Sequence, residues 1–591
     1  MRKALPALAL LAGSIVALML AVLVVGASRE LAGLFLALGV LGSVVAEVLV
    51  WRAPTIAAGL RRLQADDTFR AGLRDVLLVA VAASAHDTGT DILRVTGVTV
   101  LFIWACRLVT ILGQRRSQQL RAVPVSWRNF EVPGVRRSEP LGTGALSDAV
   151  NWPSSGSLVL AIALSAHLLG ATATVVVIAA AVSAATALAT ALVAVIDFLR
   201  ARRDTPLETV VDLLGAALAD FAPRVGLYYS RPEAIGYIAN VWVQTLEQLP
   251  QRAVVICREA YNAELVETDR LPVIEVRRAG DLERVVPPSL GLALYPSNVA
   301  KNNHLLRLPG IFDVFIGHGD SDKGGSATVL TRIFDEAWVS GPAARDRYRI
   351  ADVGVRDEQI REVGRPQLAE IERHATPLSE SHAGTDGVSS WDYTVLYAPT
   401  REGFFAAWEY SSILTQGEGI LTGLLGMPGV RVLFKPHPGT GTDDPAYGLE
   451  VLRLTAMVEA AGVPHEVVTG AEGLYHAFNR ADLLVSDVSS VITDFLASGK
   501  PYVVTNSGAL DDDTFRAQFP SAQGAYVLSG SGSDVTEHVT DAIEHDSHAA
   551  ARRRTTEYLL GDSQSDPVTR FVEAVDTVLA KQQQITADHH A

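Results

Sequence analysis

The sequence predicts a multi-span α-helical membrane module followed by two α/β units. Three observations carry this. Long apolar runs are confined to residues 1–203. From about Arg224 short β-branched runs alternate with stretches of helical spacing. The charge changes sign between the two parts. Residues 1–205 hold 19 Lys and Arg against 12 Asp and Glu, and the remainder holds 31 against 53, within a total of −15. At 591 residues the chain exceeds one core, and its 49% hydrophobic content is high for a soluble protein.

The apolar runs are Leu5–Gly26, Leu31–Trp51, Ile92–Leu112 and Leu158–Leu199. Each of the first three matches a ~30 Å hydrocarbon core, and the fourth is long enough for two crossings. Val76–Ala85 is a weaker half-length stretch. The first run meets a second span at once and lacks a convincing cleavage site, so it reads as an anchor. Basic residues cluster at Arg2–Lys3, Arg52–Arg74, Arg115–Arg121 and Arg200–Arg203. They share one side if Val76–Ala85 crosses and the last run crosses twice. That gives about six transmembrane helices in residues 1–203, with both termini and the remaining chain cytoplasmic.

The acidic remainder argues against non-specific nucleic-acid binding. Cys106 and Cys257 are too few and too separated for a disulfide framework or a zinc site.

Seven segments read as strands of a first α/β unit, residues 204–385: those around Val225, Val254, Val273, Leu292, Phe312, Ala337 and Ile360. Thr376–Ser390, rich in Ser, Gly and Thr, reads as a linker. A second unit, residues 391–580, has strands at "YTVLYAPT", "VRVLFKPHP", "HEVVTG", "ADLLVSD" and "PYVVTN". Alternation of this kind builds mostly parallel sheets, whose ligands bind at the carboxyl ends of the strands.

Four polar clusters fall just after predicted strands. "FIGHGDSDKGG" places His318 between glycines, with Gly319 and Lys323 following. A neutral imidazole there suits a general base, or a turn histidine that caps backbone groups. "LYAPTRE" places Thr400 and Arg401, which suit phosphate oxygens or a helix cap beside a solvated arginine. "VLFKPHPGTG" holds Lys435 and His437 between prolines, a stiff cationic pair suited to an anion. "LLVSDVSSVITDFLASGKPYVV" places Ser486, Asp487, Ser489 and Ser490 between a strand and a helix. One serine caps a helix; two adjacent hydroxyls exceed that need and suit an anion. Gly499-Lys500-Pro501 reads as a helix stop.

In this order the clusters resemble the CDP-glycerol glycerophosphotransferase family, the teichoic acid polymerase and primase type, which has a GT-B fold of two Rossmann-like lobes. The matching residues are His318, Gly319 and Lys323; Ala398 to Arg401; Lys435 to Pro438; and Ser486, Asp487, Ser489, Ser490, Asp494 and Phe495. Gly364-Arg365-Pro366 is a looser match. The likeness covers roughly residues 300–510. It departs at Ile316-Gly317, where the family has Trp before His-Gly, and at Ser321-Asp322, where it has Pro and an apolar residue.

The resemblance implies transfer of an alditol phosphate, most simply glycerol phosphate, from a CDP-linked donor to a hydroxyl of a lipid-linked acceptor. CMP would be released and a teichoic-acid-like wall polymer extended. It implies His318 as base, His437 as stabiliser of the pyrophosphate charge, and Lys435, Arg401, Thr400, Lys323, Ser489, Ser490 and Asp494 around the donor, with Asp494 one helical turn in from the serines and facing either the nucleotide or the core. Asp487 and Gly319 would shape the turns. No cofactor or metal beyond the CDP-alditol is implied. Two other classes stay open: a GT-B glycosyltransferase using a nucleotide sugar for an envelope glycan, and a non-catalytic membrane scaffold or transporter.

Overall fold

A computed structural model describes residues 5–85, 91–141, 155–322, 327–374, 391–403, 409–469, 473–508, 510–562 and 566–590. The linker expected at 376–390, like Lys323, lies outside the described residues. The chain divides into a helical unit, residues 1–123 and 134–210, and an α/β unit, residues 124–133 and 211–591.

Among the described residues of the helical unit, four helices are long and apolar enough to cross a membrane: Pro6–Val24, Arg29–Trp51, Ile92–Arg121 and Ala173–Ala201. Their presence makes this a membrane-associated unit. The weak stretch at Val76–Ala85 belongs to the helix Asp67–Ser84, and Leu158–Leu199 divides into Ser155–Leu168 and Ala173–Ala201. All six helices contribute to one apolar core. Their starts are written in the sequence: Ser28, Asp66 and Asp91 each accept a hydrogen bond from a first-turn amide. Charge is also buried here. Glu47 accepts from Arg70 and Arg74, and Trp104 donates to Asp75 at 2.8 Å. Each buried charge thus has a partner, as a low-dielectric setting demands.

The α/β unit holds two sheets. The first has eight strands in the order β1-β4-β3-β2-β5-β6-β7-β8. They are β1 Val125–Arg128, β2 Val225–Tyr229, β3 Ala253–Cys257, β4 Val273–Val276, β5 Leu292–Tyr295, β6 Phe312–Phe315, β7 Glu336–Val339 and β8 Ile360–Glu362. All neighbours are parallel except β1 on β4. The second sheet has the order β11-β10-β9-β12-β13-β14, all parallel. Its strands are β9 Tyr393–Ala398, β10 Val430–Phe434, β11 Glu466–Val467, β12 Leu483–Asp487, β13 Tyr502–Thr505 and β14 Tyr526–Leu528. A helical module followed by two Rossmann-like lobes is the fold expected from the sequence. Most central strands are buried along their whole length, as both-sides-covered parallel sheets require.

Two expected boundaries change. Residues 124–133, placed by the sequence within the 1–203 membrane module, join the first sheet through β1. The C-terminal helix Pro567–His590, expected to finish the second lobe, packs on the first instead. Phe571 sits between Trp242 and Trp338, with ring centroids 5.6 and 5.2 Å away.

Candidate functional site

Adjacency of β10, β9 and β12 brings three of the polar clusters to one sheet edge. Asp487, fully buried, ties the ends of β9, β12 and β13 together. Its carboxylate accepts from the Thr400 amide at 2.7 Å and the Thr505 hydroxyl at 2.6 Å. Burial pushes its pKa up, against these hydrogen bonds. The Ser486 hydroxyl donates to the Ala398 carbonyl at 2.6 Å.

Ser489 begins the short helix Ser490–Phe495 in extended backbone, φ −166. A serine there ordinarily accepts from a first-turn amide. Here no such bond forms; the side chain is 6% exposed and its Oγ has no hydrogen-bond partner. Thr493 Oγ1 is likewise buried and unpartnered. A buried polar atom without a partner is uncommon in a folded protein, and an anionic oxygen is one group that would satisfy it.

After β10, the Lys435 amide still donates to the Tyr397 carbonyl at 2.9 Å, and its Nζ reaches the Thr469 carbonyl at 3.5 Å. His437 is fixed differently. Its Nδ1 accepts from the Gly439 amide at 2.9 Å. A neutral ring that accepts at Nδ1 carries its proton on Nε2, so it presents a donor. The following loop is closed on Glu402, whose carboxylate accepts from the amides of Gly441 and Asp443 at 3.0 Å and Asp444 at 3.4 Å. Burial would raise the Glu402 pKa, but these amides outweigh it and hold the carboxylate below its usual range. Sequence reasoning passed over Glu402. The signal was an acid directly after Ala-Pro-Thr-Arg. Arg401, expected at phosphate, ion-pairs with Asp443 of the same loop.

In the first lobe, His318 follows β6 through Gly317, whose φ of +60 favours glycine. The Trp242 indole donates to the Gly317 carbonyl at 2.7 Å. His318 Nδ1 lies 3.2 Å from the Pro296 carbonyl and must donate to it. The neutral ring therefore leaves Nε2 bare. Burial pushes the His318 pKa down, helped by the charges of Arg231 and Arg365, against the Pro296 carbonyl, which favours the protonated ring.

The His318 loop reaches the second lobe. A Cβ on Gly319 would stand 3.3 Å from Ser490 Cβ and 3.4 Å from its Oγ, so a larger residue here would press on Ser490. Asp322 accepts from the Ser521 amide at 2.7 Å. Asp320 pairs with Arg347 at 2.5 Å and takes the Ser340 hydroxyl. Burial would raise its pKa; Arg347 and Ser340 hold it low.

Asp494, expected to face either the nucleotide or the core, turns inward. Its carboxylate meets Arg365 of the first lobe, 2.9 Å from Nε and 3.3 Å from Nη2, and accepts from Tyr475 at 3.2 Å. Both side chains are under a tenth exposed, and burial pushes the Asp494 pKa up. This pair braces one lobe against the other. Lys500 caps a helix, its Nζ donating to the carbonyls of Phe478 at 3.1 Å and Ala481 at 2.7 Å.

No family model matches this chain, and no curated protein does. Solved structures do show likenesses. The wall teichoic acid polymerase TagF aligns at 11% identity over 64% of this chain and 95% of its own, with a TM-score of 0.41. MnaA of S. aureus with UDP aligns at 10% identity over 60% and 96%, TM-score 0.39. The UDP-GlcNAc 2-epimerase of Neisseria meningitidis, bound to UDP-GlcNAc, aligns at 12% over 60% and 99%, TM-score 0.37. Likenesses this distant assign no activity to this chain.

Proposed function

We propose that this chain is a membrane-associated glycerophosphotransferase. It moves an alditol phosphate, most simply glycerol phosphate, from a CDP-linked donor to a hydroxyl on a lipid-linked acceptor and releases CMP. One observation carries the reading: the two histidines of the motifs are held in opposite tautomers. His318 keeps a bare Nε2, the form a general base needs, while His437 presents Nε2–H, the form that stabilises an anion.

In this scheme the acceptor hydroxyl gives its proton to His318 Nε2 as its oxygen attacks the phosphorus that carries the alditol. The bond to the bridging oxygen breaks, and CMP leaves with the electron pair. The His437 Nε2–H, with Lys435 and Arg401, faces the charge gathering on the leaving phosphate. The Ser489 and Ser490 hydroxyls hold non-bridging oxygens, and the motifs assign Thr400 and Lys323 to the same donor. Such transfer depends mainly on positioning and charge stabilisation, so no covalent intermediate is required. The catalytic unit faces the cytoplasm, where nucleotide-linked donors are made.

The test uses the full chain in lipid nanodiscs with a lipid-linked acceptor. CDP-glycerol, CDP-ribitol and UDP-sugars are supplied in turn, and the nucleotide product is measured. CMP from a CDP-alditol supports the reading. UDP from a UDP-sugar, with no CMP, replaces it by glycosyl transfer.

A further inference from the structure

A hydroxyl can reach His318 only from the side its Nδ1 does not use. The carboxyl ends of β2, β5 and β6 are adjacent in the first sheet, and the β5 end supplies the carbonyl that Nδ1 does use. Pro296 follows β5, His318 follows β6, and Ser230 and Arg231 follow β2. Tyr237 opens the helix Tyr237–Glu247 beside them. Its ring stands edge-to-face with the His318 imidazole, centroids 5.9 Å apart, yet 53% of the residue is exposed. The buried face of that helix is made by Ile238, Ala239, Trp242 and Val243, so Tyr237 adds little to the core.

The segment carrying Arg231 and Tyr237 is pre-organised. Ser230 donates to Asn302 at 2.7 Å, Asn262 bonds the Ile235 amide and the Arg231 carbonyl, and Tyr261 bonds the Pro232 carbonyl. A Cβ on Gly236 would come within 2.8 Å of the Leu265 carbonyl, which fixes the helix start. Trp242 then clamps the same helix to Gly317. So rigid a mount for an exposed aromatic ring, close to a half-buried cation, has no evident use in stability. Arg231 pairs only with Glu233, at 3.0 Å on the surface, among its described contacts. Exposed pairs of this kind are worth ~0–1 kcal/mol and yield readily to a bidentate phosphate.

We infer that Tyr237 and Arg231 form the acceptor subsite, with the ring against the carbon face of the terminal polyol and the guanidinium on the phosphodiester that precedes its free hydroxyl. The acceptor class is thus a polyol phosphate, and its phosphate is recognised apart from the donor's. This rests on the phosphotransferase reading for the role of His318. The subsite itself is tested by binding.

Octyl glycerol phosphate and octyl glycerol serve as soluble acceptor mimics, titrated into the full-length protein without turnover. Tyr237→Ala weakens both by about tenfold, and Tyr237→Phe, which keeps the ring, restores them. Arg231→Ala weakens only the phosphate mimic, also by about tenfold, the loss of one charge-assisted contact. CDP-glycerol affinity stays within about twofold throughout, which also reports that the variants fold. The inference is overturned if mimic affinities stay within about twofold, or if mimic and donor weaken together. Absence of CMP release by the unaltered protein would remove the reaction but leave this titration readable.

Discussion

The unpartnered hydroxyl of Ser489 makes a prediction with opposite signs for stability and binding. Ser489→Ala removes a buried oxygen that makes no hydrogen bond in the ligand-free protein. Such an orphan costs ~1–3 kcal/mol, so the alanine variant is more stable, by about 1 kcal/mol after the lost packing. For a lobe of this size that raises Tm by about 2–4 °C. Donor binding moves the other way. A hydroxyl-to-phosphate bond is worth ~1.5–3 kcal/mol, so the CDP-glycerol Kd rises by about 10- to 150-fold. Ser486→Ala is the control, three residues earlier on the same strand end. Its hydroxyl satisfies the Ala398 carbonyl at 2.6 Å. Losing it costs ~1–2 kcal/mol and leaves the Kd nearly unchanged. Thermal unfolding and calorimetric titration of the two variants read all four quantities. A Ser489→Ala variant that melts lower and binds donor normally would make Ser489 an ordinary helix cap and refute the reasoning.

Three further outcomes are expected. The transfer rate rises with pH through the His318 pKa, which burial places below the ordinary ~6.5, so the rate is level by neutrality. Arg231→Gln removes a positive charge, favours the protonated ring and moves the acidic limb to higher pH, as a pH–rate profile at saturating acceptor shows. Asp494→Ala strands the buried Arg365 guanidinium and destabilises the α/β unit by ~3–5 kcal/mol, whereas Arg365→Met with Asp494→Leu recovers most of that loss in the same melting experiment. Glu402→Gln replaces a carboxylate that closes the 441–444 amides; because His437 rides on that loop, kcat falls about tenfold and the donor KM changes less.

The fold was legible wherever a β-branched run was closed by turn residues. Twelve strands were read in this way. β1 and β14 were not, and length does not separate them, since β8 and β11 have only three and two residues. β1 also pairs with residues some 150 positions away, and that partnership leaves no local pattern. The C-terminal helix was readable as a helix, but which lobe it covers depends on Trp242 and Trp338 receiving Phe571. At the site, motif order brought the strand ends together correctly on the page because parallel topology puts carboxyl ends on one edge. Side-chain direction was the illegible part. Asp494 lies one turn beyond Ser490, and only the packing of Arg365 decides that it faces the other lobe. Glu402 and Tyr237 carry no motif; their roles appear only when the 441–444 amides and the His318 ring are placed beside them.

The His318 loop also explains why base and phosphate turn should act as one piece. Gly319 touches Ser490, Asp322 holds the Ser521 amide, and Asp320 is locked to Arg347 and Ser340 behind. Separating the lobes here would strand the Asp322 carboxylate, whose side chain is 3% exposed, and break the buried Arg365–Asp494 pair. Breaking that pair alone costs ~3–5 kcal/mol, more than one phosphate contact returns. The distance from His318 to the Ser489–Ser490 turn is therefore set before any donor arrives. A transfer reaction limited by alignment gains most from such fixity, since a displacement of about 1 Å lowers the rate by about a hundredfold. Arg401 on Asp443 and Arg231 on Glu233 are pairs of another kind, each half-buried cation meeting an exposed carboxylate. Pairs of that kind are worth ~0–1 kcal/mol, so exchanging the carboxylate for a phosphate costs little beside the deeply buried pair.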